Sequence, residues 1–220
     1  IRFLPGVEVS VSWERKTLHV VGVGVDPGDA ALQAGLARLQ AVRDARALEI
    51  GRRLEAKGIT GALAGALALA GEARPTRTHF ARFLHQAGHV KDEAQAYRRY
   101  LGRGKPGHVP AEWASLEECL AWIHGAGGRA IFAHPLRYGL TRAWLVKALT
   151  AFKQAGGDAM EVVSGRTNPD EVAVAAHLAQ RFELMGSVGS DFHAPSPYLR
   201  PGVETALPPG IVPVWKSLAA

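Results

Sequence analysis

An aspartate and a histidine flank one phenylalanine in the stretch GSDFH, where an apolar run ends. Asp191 and His193 are two residues apart, so in an extended chain both side chains point to the same side and can approach one ion. Carboxylate oxygen and imidazole nitrogen suit manganese, iron or zinc, and no thiolate accompanies them to single out zinc. The spacing therefore predicts a metal site and leaves the identity of the ion open.

Further acids and imidazoles stand at or near the ends of short apolar segments. His134 directly follows the apolar run RAIFA, while Glu8 and His19 lie on two alternating segments near the start of the chain. His79 lies in the stretch THFARFL. A histidine at a strand end is as often structural as it is a ligand. The recurrence of these residue types nevertheless indicates a cluster.

The elements that would position these residues alternate between helix and strand. VEVSVSW and LHVVGVGVD flank a short polar turn and predict a strand pair, and a long solvent-exposed helix is predicted from Asp29 to Lys57. Three helix–strand repeats follow, ending in RAIFA, DAMEVV and ELMGSV. This pattern favours an α/β fold of parallel strands, in which reactive residues gather at the carboxyl ends of the strands.

Residues 58–110 interrupt this alternation. They contain short helical patterns separated by glycines and no strand signal, and they end in the basic loop GRGKPGHVP. We predict one α/β domain formed by 1–57 and 111–220, with 58–110 as an inserted helical cap region. The loop lacks the spacing and the serine or threonine of a Walker A motif, so it is either a solvated turn or a guide for anionic substrates.

Composition narrows the class of protein. The 220 residues carry a net charge of +6, which favours anionic partners such as a phosphorylated substrate, although an excess of arginine without any specific partner is equally common. No apolar run reaches the roughly 18 residues of a membrane span, so no membrane partner is expected. Cys119 is the only cysteine. No intramolecular disulfide can form, which fits a reducing compartment and predicts a cytoplasmic protein.

The motifs GVEVS, LHVVGVGVD, TRTHFARFL, AHPLRYGLT and GSDFH occur in the order found in PHP (polymerase and histidinol phosphatase) metallophosphoesterases. The chain resembles this family over nearly its whole length. The forms TRTHFARFL, AHPLRYGLT and GKPGHVP are similar to the branch that contains RNase AM and the nucleoside 3′,5′-bisphosphate phosphatases. The resemblance implies a distorted (βα)7 PHP barrel with an inserted helical segment.

Carried over motif by motif, the resemblance also implies the metal ligands. Glu8 would be a bridging carboxylate, and the other ligands would be His19, His79, His134, Asp191 and His193. The ions would be divalent, with manganese favoured over iron or zinc, and up to three would bind in the complete protein. No catalytic residue beyond these ligands is predicted.

The implied activity is metal-dependent hydrolysis of phosphate esters. The resemblance implies removal of the 3′-phosphate of nucleoside 3′,5′-bisphosphates, or removal of nucleotides from RNA 5′ ends as a 5′-3′ exoribonuclease. The expected partner is thus a nucleotide or a short RNA. Arg137, Arg77 and Arg82 could hold substrate phosphates through paired hydrogen bonds, with exposed salt bridges as the alternative role of each.

The chain departs from the family pattern at its start. The family's His-x-His motif and its Thr-Asp-His-Asp strand end do not occur, and both would lie before Ile1. We therefore expect the N-terminal strands to be missing, and the chain alone could be inactive. The alternative function is a catalytically silent PHP-like module that binds nucleic acid or protein.

Two further expectations concern residues with other possible roles. Trp113, Trp122 and Trp144 begin or line predicted helices, so we expect them to be core anchors rather than base-stacking platforms. Glu161 lies inside the predicted strand DAMEVV. We expect it to form hydrogen bonds within the barrel rather than to bind metal.

Overall fold

A five-stranded sheet confirms the predicted α/β class. The computed structural model describes residues 3–165, 167–192, 202 and 206–218. The strands follow one another in chain order and are β1 (Gly6–Trp13), β2 (Lys16–Val23), β3 (Arg129–Phe132), β4 (Ala159–Ser164) and β5 (Met185–Gly189). β2 pairs antiparallel with both β1 and β3, whereas β3, β4 and β5 are parallel. The carboxyl ends of β1, β3, β4 and β5 therefore share one edge of the sheet, called the carboxyl edge below.

The predicted strand pair is the β1–β2 hairpin. Its turn residues Glu14 and Arg15 both have left-handed backbones, with φ values of 46° and 61°, as two-residue turns that match the twist of the strands require. One face of the hairpin is aliphatic and fully buried, with exposures of 1% or less for Val9, Val11, Leu18 and Val20. The polar residues that alternate with these aliphatic ones occupy the other face.

Seven α-helices lie in the described residues. They are α1 (Ala30–Glu55), α2 (Ala62–Ala70), α3 (Arg77–Gln86), α4 (Glu93–Ala96), α5 (Leu116–Gly125), α6 (Arg142–Gln154) and α7 (Pro169–Arg181). Helices α5, α6 and α7 precede β3, β4 and β5, as the predicted repeats require. Each of the three begins at a side chain that accepts a hydrogen bond from its first turn, supplied by Ser115, Thr141 and Asn168. None of the described helices is long and apolar enough to cross a membrane.

The chain divides into two compact units. The first comprises Ile1–Leu36 and Trp113–Ala220 and contains the sheet, and the second comprises Ala37–Glu112. The second unit is helical, with a core that includes Leu54, Phe80 and Leu84. Its helices α2 and α3 pack closely, because a Cβ at Gly65 would lie 2.0 Å from the Phe83 ring.

Candidate metal centre

Three of the predicted ligands converge at the carboxyl edge. Glu8 Oε1 lies 2.8 Å from His19 Nδ1 and 3.4 Å from His134 Nε2, and the two imidazole nitrogens are 3.1 Å apart. Ligands bound at about 2.0–2.2 Å to one tetrahedral or octahedral ion stand about 2.8–3.5 Å from each other. The three donor atoms therefore fit one face of a coordination polyhedron. Their two nitrogens and one oxygen suit a divalent transition metal.

Strand register places Glu8 and His19 together. Ser10 lies directly opposite His19 in the hairpin, so Glu8, two residues earlier, is a diagonal neighbour of His19 on the same face. The aliphatic residues of the alternate positions are buried on the opposite face. Because a slip of one residue would exchange the two faces, burial of the aliphatic side chains also fixes Glu8 and His19 toward the centre.

A loop in an unusual backbone conformation brings in His134. This residue follows β3 with φ 28° and ψ 59°, a backbone conformation that residues other than glycine rarely adopt. Its backbone N–H donates to Glu161 Oε2 at 2.6 Å. Tyr138, in the same loop, accepts a hydrogen bond from the His19 N–H at 2.8 Å and donates one to the Ala133 carbonyl at 3.0 Å. Tyr138 thus connects β2 to the loop and aligns the two imidazoles.

The electrostatics of the centre favour an ionised carboxylate between two imidazoles. Hydrogen bonds from His134 and His19 hold the pKa of Glu8 well below its usual range. Burial lowers the pKa of His134, but the hydrogen bond to Glu8 and nearby carboxylate charges outweigh burial and raise that pKa. Burial raises the pKa of Glu161, which the hydrogen bond from the His134 N–H only partly offsets. The ionised carboxylate of Glu8 therefore supplies negative charge that a cation could balance.

Asp191 belongs to the same neighbourhood. It lies just after β5, also at the carboxyl edge, and has a left-handed backbone with φ 48°. Its charge is one of those that raise the pKa values of His134 and Tyr138. His193, the second member of the predicted pair, lies outside the described residues.

Comparisons with known proteins show the family of the chain. No protein-family model matches the chain. Over its whole length the chain is 46% identical to a 3′,5′-nucleoside bisphosphate phosphatase of Chromobacterium violaceum and covers 78% of that protein. It is 44% identical to a 5′-3′ exoribonuclease of Haemophilus influenzae and 41% identical to the 5′-3′ exoribonuclease Rnm of Escherichia coli, covering 78% and 74% of these proteins. The chain belongs to the PHP family of phosphoesterases.

Solved structures agree with this assignment. The PHP chain matches an amidohydrolase structure from Chromobacterium violaceum, with bound sulfate and no metal, at a TM-score of 0.88 and 46% identity, covering 98% of this chain and 76% of that one. It also matches a metal-dependent phosphoesterase structure from Bifidobacterium adolescentis at a TM-score of 0.73 and 25% identity, covering 91% and 71% of the two chains. The protein is a hydrolase that acts on phosphoester bonds.

In this PHP phosphoesterase, Glu161 supports the centre. The sequence predicts hydrogen bonding for it, and the structure shows its carboxylate accepting from the His134 backbone. The side chain lies against the backbone of the neighbouring strand, because a Cβ at Gly189 would lie 2.5 Å from Glu161 Oε1. Glycine at 189 therefore leaves room for the carboxylate that holds the His134 loop.

Two of the arginines predicted to bind substrate form ion pairs. Arg137 in the His134 loop lies 3.4 Å from Glu171 on α7. In the second unit, Arg82 on α3 lies 3.5 Å from Glu93. Both guanidinium groups are exposed and each pairs with a single carboxylate. They therefore form surface salt bridges, which is the alternative role that the sequence analysis gives these arginines.

The other two predicted residues of α3 have different surroundings in the second unit. His79 completes a capping box, in which its Nδ1 accepts a hydrogen bond from the Thr76 N–H at 3.0 Å. Burial and then the charge of Arg82 lower the pKa of His79. Arg77, two residues earlier, lies among other cations.

These basic side chains form a cluster that the sequence did not reveal. Burial, and then the charges of Arg77 and Arg43, lower the pKa of Arg46 to about 10. Burial, Arg77 and Arg46 likewise lower the pKa of His108 in the GRGKPGHVP loop. We call Arg46, Arg77 and His108 the basic cluster. Its members come from three distant positions in the chain, so no local motif could have predicted it.

The GRGKPGHVP loop is fixed to α1. Arg46 Nε donates to the Val109 carbonyl at 2.9 Å, and Arg53 donates to the His108 carbonyl at 2.7 Å. The end of the loop is therefore fixed beside the basic cluster, whereas residues 103–106 form an exposed turn.

Proposed function

We propose that this protein removes the 3′-phosphate of nucleoside 3′,5′-bisphosphates and removes nucleotides from RNA 5′ ends, using divalent metal ions. The observation that carries the proposal is the convergence of Glu8, His19 and His134, whose donor atoms lie within 3.4 Å of one another. The names of the relatives supply the substrate classes. A 3′,5′-bisphosphate and an RNA 5′ end share a 5′-phosphate followed by a 3′ phosphate group, so one pocket could take both.

The ions themselves would stabilise charge on the phosphate and activate water. The residues of the chain prepare the site for them. Glu8 stays ionised between two imidazoles, the Glu161 carboxylate orients the His134 backbone, and the Tyr138 hydroxyl keeps β2 and the loop in register. Manganese is the proposed metal, and Asp191, His79 and His193 are proposed as further ligands.

Substrate phosphates are proposed to bind at Arg77, with Arg82 and Arg137 as further candidates. The basic cluster supports Arg77, because neighbouring cations that repel one another gain most from an anion that contacts them. Arg82 and Arg137 would first have to leave Glu93 and Glu171. We therefore expect Arg77 to contribute more to substrate affinity than either of them.

The finer description of the fold is likewise a proposal. The three helix–strand repeats and the similarity to a metal-dependent phosphoesterase structure support the distorted (βα)7 PHP barrel. We propose that 1–57 and 111–220 form the barrel domain and that 58–110 form an inserted cap. The helical second unit, which has a core of its own, supports a separate cap.

Phosphate release from adenosine 3′,5′-bisphosphate tests the function. The full-length protein should release phosphate when manganese is added, and the release should stop when a chelator removes the manganese. Glu8→Gln keeps the size of the side chain but removes its charge, and it should lower the rate by at least about 100-fold. Glu55→Gln, an exposed position at the end of α1, is the control and should keep the rate. Equal rates for wild type and Glu8→Gln would refute the assignment of the centre.

A further inference from the structure

Two tryptophans and two lysines form a patch where the β1–β2 turn meets α6. The rings of Trp13 and Trp144 are 5.8 Å apart in an edge-to-face arrangement at 84°. Lys147 Nζ lies 5.7 Å from the Trp13 ring centre and 5.1 Å from that of Trp144, and Lys16 Nζ lies 5.3 Å from Trp144. We call these four residues the Trp–Lys patch.

The exposure of Trp144 contradicts the expectation that it is a core anchor. Its relative exposure is 38%, whereas Trp13 is partly buried. Trp13 therefore packs the hairpin turn against α6, while Trp144 leaves a large aromatic surface in water. Covering this surface with a ligand would be favourable, since tryptophan gains more from burial than most side chains.

The charge around the patch suits an anion. Lys147 pairs with Glu14 at 2.7 Å, and these two residues together with Arg15 and Lys16 sum to a net charge of +2. Trp144 lies in the first turn of α6, where the N-terminal end of the helix dipole is positive and no acidic residue offsets it. The patch thus combines an open aromatic ring with excess positive charge. Single-stranded nucleic acid is the ligand class that uses both, with bases on rings and phosphates on cations.

The patch lies at the carboxyl edge, within the same unit as the metal centre. Trp13 ends β1 three residues beyond Ser10, the partner of His19, which is about 10 Å along the strand. Trp144 belongs to the helix that follows the loop of His134 and Tyr138. A strand of RNA whose 5′ end occupies the centre could therefore continue across the patch.

We propose that the Trp–Lys patch holds the RNA downstream of the nucleotide being removed, an inference that rests on the proposed exoribonuclease activity for its ligand. A base stacks on Trp144, and the flexible lysines move from the ring faces to the neighbouring phosphates. Stacking is tolerant of sequence, because every base has an aromatic face. An enzyme that shortens RNA one nucleotide at a time needs that tolerance, whereas a mononucleotide is too short to reach the patch.

The affinity of the full-length protein for RNA tests the proposal. A fluorescent, 5′-phosphorylated RNA of about ten nucleotides, a length that one single-strand-binding fold can cover, is titrated in chelator so that no hydrolysis occurs. Trp144→Leu, which keeps apolar volume without an aromatic face, should weaken binding by about 10-fold, and Trp144→Phe should retain most of the affinity. Trp215→Leu is the matched control at a tryptophan that is 45% exposed elsewhere in the same unit, and it should bind like wild type.

Hydrolysis of adenosine 3′,5′-bisphosphate separates this proposal from the proposed function. Trp144→Leu should keep the wild-type rate on the bisphosphate, since that substrate does not reach the patch. The proposal would be overturned if Trp144→Leu bound RNA as tightly as wild type. It would also be overturned if the variant lost RNA affinity and bisphosphate hydrolysis in parallel. No hydrolysis by the wild type would instead refute the proposed function, while the comparison of RNA affinities would still decide the patch.

Discussion

At the scale of single residues, the centre depends on backbone conformations that most side chains avoid. His134 and Asp191 both have left-handed backbones, with φ values of 28° and 48°, and each follows a parallel strand. Such a conformation costs about 1–3 kcal/mol and persists where the surroundings enforce it. At His134 the surroundings include the Glu161 carboxylate, which accepts from its N–H. The position of His134 therefore depends on a residue outside the converging trio.

Substituting Glu161 tests this positioning role. Glu161→Ala leaves the His134 N–H without its acceptor, and we expect manganese affinity to fall by about 10- to 100-fold, as for other residues that orient metal ligands. Glu161→Gln retains an acceptor oxygen and should lose less. Calorimetric titration with manganese measures both variants. Identical affinities for wild type and Glu161→Ala would contradict the role.

At the scale of elements, one hydroxyl joins two strands and a loop. Tyr138 accepts from the His19 N–H and donates to the Ala133 carbonyl, where β2 and β3 separate. Tyr138→Phe leaves both backbone groups without their partner, which should cost about 1–3 kcal/mol of unfolding free energy. Chemical denaturation should detect the loss, while Tyr100→Phe in the second unit should change stability little. A Tyr138→Phe variant as stable as wild type would show that the hydroxyl is not needed at this junction.

The elements themselves were largely predictable from sequence, because their signals are local. Alternating hydrophobicity predicted the hairpin, and helical periodicity followed by short apolar runs predicted the repeats that end in β3, β4 and β5. The clustering of Glu8, His19 and His134 was predicted from their positions at or near the ends of apolar segments and from the family motifs. The hydrogen bond of Tyr138 to His19 joins residues 119 positions apart. Such contacts, like the basic cluster and the exposed ring of Trp144, depend on tertiary packing that no local pattern encodes.

At the scale of the whole molecule, the described chain divides its chemistry between its two units. The convergent metal-capable residues lie in the first unit, and the basic cluster lies in the second. The proposed metal ligands Glu8, His19 and His134 and the proposed phosphate-binding residue Arg77 therefore belong to different units. Part of the excess positive charge of the sequence is concentrated in the basic cluster.

Replacing Arg77 tests the basic cluster. Arg77→Gln removes one cation, and the KM for adenosine 3′,5′-bisphosphate should rise by about 10-fold, the equivalent of one charged hydrogen bond. Arg99→Gln is the control, because Arg99 stacks on the Tyr100 ring outside the cluster and should leave the KM unchanged. An unchanged KM in Arg77→Gln would show that Arg77 does not bind a substrate phosphate.

The most direct test of the central claim is the dependence of phosphate release on manganese concentration. The full-length product and its His134→Gln variant are compared with adenosine 3′,5′-bisphosphate as substrate. If Glu8, His19 and His134 hold the metal, the variant should need at least about 10-fold more manganese for half of its maximal rate. Activation of both proteins at the same manganese concentration and to the same rate would contradict the assignment of this centre.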